Sequence, residues 1–150
     1  MAKVHVKGLA ATTARLRGLP RELVGKNGGP IRKALFQAAK VIEEDARSKA
    51  QAVDDPTTET NIAKNVKKWR EPRPDTFEGR PAELFHVGVD GRKAPHWHFL
   101  ELGTAKQPAQ PYLRPAFEAQ KQAAVDRFAE VLDKDIKRLE KKVAKQARVV

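Results

Sequence analysis

Cysteine is absent from the 150 residues, which excludes disulfide staples and thiolate nucleophiles together. A reducing cytosol is the natural place for such a chain to fold. Serine occurs once, at Ser48, inside a helical pattern and with no histidine near it in sequence. Neither a phosphate-binding P-loop nor a dinucleotide glycine fingerprint is present. The 19 acidic residues fall in no spacing that marks a catalytic pair. Long apolar runs are missing as well: none approaches the roughly 18 residues that span a bilayer. Residues 1–20 are basic but lack the continuous apolar stretch of a secretory signal. The expectation is a protein that is not an enzyme, uses no cofactor and contacts no membrane.

Positive charge is what the chain has in excess. Its 30 Lys and Arg against 19 Asp and Glu give a net charge of +11, and the 40% hydrophobic content is enough to build a core. The length suits one domain, residues 1–150. The surplus lies at the ends. Residues 1–30 carry Lys3, Lys7, Arg15, Arg17, Arg21 and Lys26 against Glu22 alone. Residues 137–150 carry Lys137, Arg138, Lys141, Lys142, Lys145 and Arg148 against Glu140. A basic N-terminal arm (about 1–29) and a basic C-terminal helix end (about 137–150) suggest an acidic counterpart, either nucleic acid or a protein surface. Solvated helix faces and a mobile tail are the plainer explanation of the same charges.

Residues 4–8 alternate as an edge strand or extended arm, and residues 9–19 fit a short helix. The breaker at residues 25–30 ends in Pro30, which suits the first turn of the next helix. Ile31, Leu35, Ala38, Ile42, Ala46 and Ala50 keep one apolar face for about 20 residues, with Ala34 and Ala39 widening it. After a loop at residues 54–60, Ile62 and Val66 give one helical turn leading into a strand. Pro72 and Pro74 make residues 71–81 an exposed loop or hairpin tip. Phe85, Val87 and Val89 alternate as a strand that ends at the Asp90-Gly91 turn.

The aromatic run at residues 97–102 reads as a second strand, with Trp97, Phe99 and Glu101 on one face. Pro108 and Pro111 stiffen the loop after it. Pro115 opens a helix of about 30 residues marked by Phe117, Ala124, Phe128, Val131, Leu132, Ile136, Leu139 and Val143. Such a helix measures roughly 45 Å, so its last turns are expected to project or to meet a neighbour. The fold class is α+β: a small mostly antiparallel sheet packed against two long helices, one of them a long C-terminal helix. Leu35, Ile42, Phe128, Leu132 and Leu139 are the expected buried positions.

The nearest approach to a metal site is His96 and His98, which a strand would place on one face, with His86 across on a paired strand. Zinc accepts three such nitrogens, yet packing around Trp97 explains them equally well, and no metal is assigned. Glu101, charged within an apolar run, is read as the ion-pair partner of Arg114, within one chain or across a subunit boundary, with a solvent-facing place on an edge strand as the plainer explanation. Tyr112 and Leu113 either tip a docking loop or plug the domain's own core. Trp69 and Trp97 either stack on bases or pack.

The segment Phe99-Leu100-Glu101-Leu102-Gly103-Thr104, followed by Pro108-Ala109-Gln110-Pro111-Tyr112-Leu113-Arg114-Pro115-Ala116-Phe117, resembles the signature of a tail-completion family of long-tailed bacteriophages. Its members include gene-product-ten-like minor tail and neck proteins. Gly8-Leu9 and residues 62–66 fit the family's spacing loosely. Where a Pro-x-Thr-Gly stretch usually stands, this chain reads Asp55-Pro56-Thr57-Thr58-Glu59-Thr60, without glycine. The resemblance implies a structural virion protein that completes the tail or joins it to the head at the neck. It implies a ring around the DNA channel, with six subunits natural for the tail's symmetry. Its partners would be neck or tail proteins such as an adaptor, a head-closure protein, the tail tube or a terminator. The location would be the virion, and the host cytoplasm during assembly. Phe99, Glu101, Gly103, Thr104, Pro108, Pro111, Tyr112, Leu113, Arg114 and Pro115 become the candidate interface. The alternative is a basic nucleic-acid-binding protein.

Overall fold

Proline early and alanine at helical spacing set the first long element. In the computed structural model, which describes residues 29–55, 60–71, 76–77, 80–81 and 83–147, helix α1 runs Gly29–Val53. Pro30 lies in its first turn, where a missing N–H costs nothing. Asn61 caps the single turn α2 (Ile62–Asn65) by accepting the Lys64 N–H at 2.8 Å, and Asp54 Oδ2 accepts the Ile62 N–H at 2.7 Å. The helical turn leading into a strand is thus what forms: β1 (Val66–Arg70) follows at once.

Strand β1 pairs antiparallel with β4 (Phe85–Val89), from Val66 opposite Val89 to Arg70 opposite Phe85. Between them, β2 (Thr76–Phe77) and β3 (Arg80–Pro81) form a second short antiparallel ladder. That is the hairpin tip expected at residues 71–81. Two helices complete the order, α3 (Trp97–Leu102) and the 35-residue α4 (Leu113–Ala147), with Pro115 in its first turn. The architecture is α+β and mostly helical, with a two-stranded antiparallel sheet and a long C-terminal helix.

The main correction concerns residues 97–102, which are helix and not strand. A six-residue apolar run fits a period of two and a period near three equally well. Tertiary packing decides here: Trp97 and Leu100, three residues apart, share the face turned to the core, a pairing a strand cannot provide. The readings at residues 4–8 and 9–19, with Gly8-Leu9, lie outside the described residues.

The chain divides into two compact units, Ala39–Ala124 and the combination of Met1–Ala38 with Val125–Val150. In the first, Val66 and Val89 from the β ribbon meet Ala46 and Ala50 of α1, together with Ile62, Ala94, Tyr112 and Ala116. Alanine on α1 is what lets the ribbon approach. Glu43 is buried at the edge of this core, 6% exposed. Its carboxylate takes Arg47 Nη2 at 3.1 Å and the Lys68 ammonium, and Arg47 also donates to the Val66 carbonyl at 3.1 Å. The pairing ties α1 to β1.

In the second unit, Ala34 packs with Val131, Leu132 and Ile136, flanked by Ile31 and Phe128. Lys33 Nζ reaches Asp135 Oδ1 at 2.9 Å. Of the expected buried positions only Leu132 is fully covered; Leu35, Ile42, Phe128 and Leu139 are half-buried. A stripe wider than one helix–helix contact keeps its flanks open to water, and the centre of the contact here is alanine.

Candidate interface at the α3–α4 junction

Glu101 ends up in a role that its place in the sequence did not suggest. As a residue of α3 it reaches the start of α4, where the first backbone N–H groups of any helix lack partners. Its Oε2 accepts from the Tyr112 N–H at 2.8 Å and the Leu113 N–H at 3.0 Å, and Oε1 from the Arg114 N–H at 3.1 Å. Within the chain no ion pair joins the Glu101 and Arg114 side chains among the described residues; Glu101 caps the helix instead. A carboxylate there also faces the positive end of the helix dipole. The cap lies eleven residues before its first partner in sequence, beyond the reach of local capping patterns.

The loop from α3 to α4 is held just as firmly. Gly103 donates to the Phe99 carbonyl at 2.9 Å and has φ of 76°. A Cβ there would meet the Ala109 nitrogen at 2.7 Å, so only glycine fits. Thr104 Oγ1 accepts from the Lys106 and Gln107 N–H groups at 3.2 and 3.1 Å, and the Gln110 N–H reaches the Leu100 carbonyl at 2.8 Å. Pro108 and Pro111 lie exposed along this path.

Tyr112 is not a docking tip. It is 0% exposed and sits in the core, which corrects its reading as an interface residue; Leu113 is half-buried against the same core. The Tyr112 hydroxyl has no hydrogen-bond partner among the described residues. Burial foremost, then the negative charges of Glu101 and Asp54, raises its pKa well above the usual phenol range. Beside the polar residues of its loop, the junction exposes three large apolar side chains: Phe99 at 48%, Leu102 at 67% and Phe117 at 50%. Phe99 and Leu102 lie three residues apart on α3, on one face opposite Trp97 and Leu100. The aromatic run therefore has an inner and an outer side, with helical rather than strand spacing.

The candidate metal ligands are not gathered. His96 Nδ1 lies 3.3 Å from Thr60 Oγ1, His98 packs beside Phe99 with 4.0 Å between ring centroids, and His86 stacks on Trp69. Helix geometry turns His96 and His98 apart, and among the described residues no group of three His, Asp or Glu side chains is placed to hold a metal. Of the basic set on α4, Lys137 pairs with Asp133 at 2.6 Å. Arg138, Lys141, Lys142 and Lys145 carry no ion pair among the described residues and are exposed; Arg148 lies outside them. Among the described residues no helix is long and apolar enough to cross a membrane.

No model of a protein family, no curated protein and no solved structure matches the chain.

Two features escaped sequence reasoning. The buried Glu43 has no sequence signal of its own, and only the apolar positions around it, Ala39, Ala46 and Ala50, hint at its inward aim. The outward pairing of Lys67 and Trp69 on β1 was legible in principle, since they alternate with Val66 and Lys68.

Proposed function

We propose that this chain is a structural protein of a tailed-bacteriophage virion, completing the tail or joining it to the head at the neck as a ring of subunits around the DNA channel. The observation that carries the proposal is how residues 99–117 divide. Glu101, Gly103 and Tyr112 fix the backbone of the junction from within. Phe99, Leu102 and Phe117 stay uncovered on it. A rigid segment with exposed apolar side chains is what a preorganised docking contact needs, because little conformational freedom is lost on binding. Its partners are neck and tail proteins such as an adaptor, a head-closure protein, the tail tube or a terminator, and it acts in the virion after assembly in the host cytoplasm.

The alternative, a basic nucleic-acid-binding protein, draws on the net charge of +11 and the free cations of α4. One experiment separates the two. Phage particles produced without this gene are expected to accumulate heads and tails unjoined, and adding the purified protein should join them, as counted by electron microscopy. Normal joining without the gene overturns the proposal.

A further inference from the structure

The two tryptophans part company in the structure. Trp97 packs against the core, whereas Trp69 is 44% exposed on β1. Strand alternation explains the difference. Val66 and Lys68 turn inward, one into the core and the other onto Glu43, so Lys67 and Trp69 face away. The register sets His86 opposite Trp69 and Gly88 opposite Lys67. The indole stacks on the His86 ring, with centroids 5.6 Å apart and planes 21° apart. A Cβ at Gly88 would come within 3.0 Å of the indole, so glycine there lets the ring lie down on the ribbon with much of it open to water.

An open cleft of about 720 Å³ runs beside this platform, with Lys67, Trp69, Asp90 and Arg92 in its walls. Asp90 is its acidic group, 3.8 Å from Lys67, a long contact that leaves the ammonium accessible. The Arg92 side chain has no ion pair among the described residues. Positive charge therefore prevails around an aromatic face, in a space within the range that small ligands fill.

The geometry points to a binding site for single-stranded nucleic acid in this cleft, one base stacked on Trp69 and the adjoining phosphates held by Lys67 and Arg92. Stacking is what selects the ligand. Every unpaired base offers a flat face to an indole, while the bases of a duplex are hidden in their own stack. An acidic peptide would meet the same cations but has no need of a ring laid flat. The site lies on the β ribbon, apart from the basic ends of the chain, and stands independently of the neck proposal.

The test uses the full chain carrying Trp97→Phe, so that fluorescence reports Trp69 alone, titrated with oligothymidine, with a duplex of equal length and with poly-glutamate. Oligothymidine should quench Trp69 to saturation, with an affinity that falls as salt rises. Trp69→Ala should weaken binding about ten-fold, and Arg92→Gln should flatten the salt dependence by about one phosphate contact. Arg92 sits exposed on a turn, so that variant keeps the test open should Trp69→Ala fail to fold. Trp69 emission that does not change under saturating oligothymidine overturns the proposal. So does poly-glutamate or duplex that quenches Trp69 as strongly, the former marking an acidic-peptide surface instead.

Discussion

Tyr112 is the chain's one tyrosine, which makes its ionisation directly visible. In the unfolded chain the phenol titrates near its ordinary value of 10.0; in the fold, burial and the nearby carboxylates hold the proton on. Above that value the unfolded state binds fewer protons than the native state, so stability falls as pH rises, by about 1.4 kcal/mol per unit. Tyrosinate absorbance should therefore appear together with the loss of circular dichroism rather than before it. Because the hydroxyl has no partner among the described residues, Tyr112→Phe should leave stability unchanged or raise it by about 1 kcal/mol, and should remove this share of the alkaline loss. Absorbance that rises while the protein stays folded would contradict the burial. Glu43 makes the opposite case. Glu43→Ala removes the buried carboxylate that Lys68 and Arg47 share and should cost about 3 kcal/mol in chemical denaturation, most of it recovered in the Glu43→Leu, Lys68→Met double variant. Equal losses in the single and double variants would mean that the charges are not coupled.

At the scale of elements, what could be read in advance was whatever a local period or breaker decides. Pro30, the alanine stripe of α1, the single turn before Val66 and the first turn at Pro115 all follow from neighbouring residues. The strand from Phe85 was legible because its alternation runs into a turn signal at Asp90-Gly91. Residues 97–102 were misread because six residues cannot separate the two periods, and the inward demand of Trp97 and Leu100 comes from packing. The role of Glu101 was out of reach for a related reason: its partners belong to a helix that begins after a proline-rich loop. The cap should matter to both helices. Glu101→Ala leaves backbone N–H groups unsatisfied and should lower stability by about 2 kcal/mol, and Glu101→Gln, which keeps one acceptor oxygen, by about half as much. Thermal melts that do not distinguish wild type from Glu101→Ala would rule out the cap. On the outer side of α3 the expectation reverses. Leu102→Asp meets only solvent, so its melting temperature should stay within a degree or two of wild type, while head–tail joining in the same preparation should fail. Joining at the wild-type level would remove α3 from the proposed contact.

For the whole molecule the question is what the surplus of positive charge meets. The free cations Arg138, Lys141, Lys142 and Lys145 all lie on the last turns of α4, and three uses of them make different predictions for a chain ending at residue 136. If they only solvate the helix, the shortened chain should join heads to tails and bind polyanions as the full chain does. If they face DNA in a channel, its affinity for duplex should drop, and the salt dependence of binding should lose about one counterion for each phosphate contact removed. If they clasp an acidic neighbour, duplex affinity should be weak from the start, and the truncation should stop joining. We expect the third outcome. A joining protein must hold its neighbours specifically, whereas DNA that passes through a channel must not be held tightly, and steering by opposite charge speeds the encounter between assembling subunits. Among the described residues none from Lys137 onward belongs to either core cluster, so the shortened chain should fold. Scoring joined particles beside duplex affinity at two salt concentrations distinguishes the three. Joining at the wild-type level by the shortened chain would return these lysines and arginines to the role of a solvated helix end.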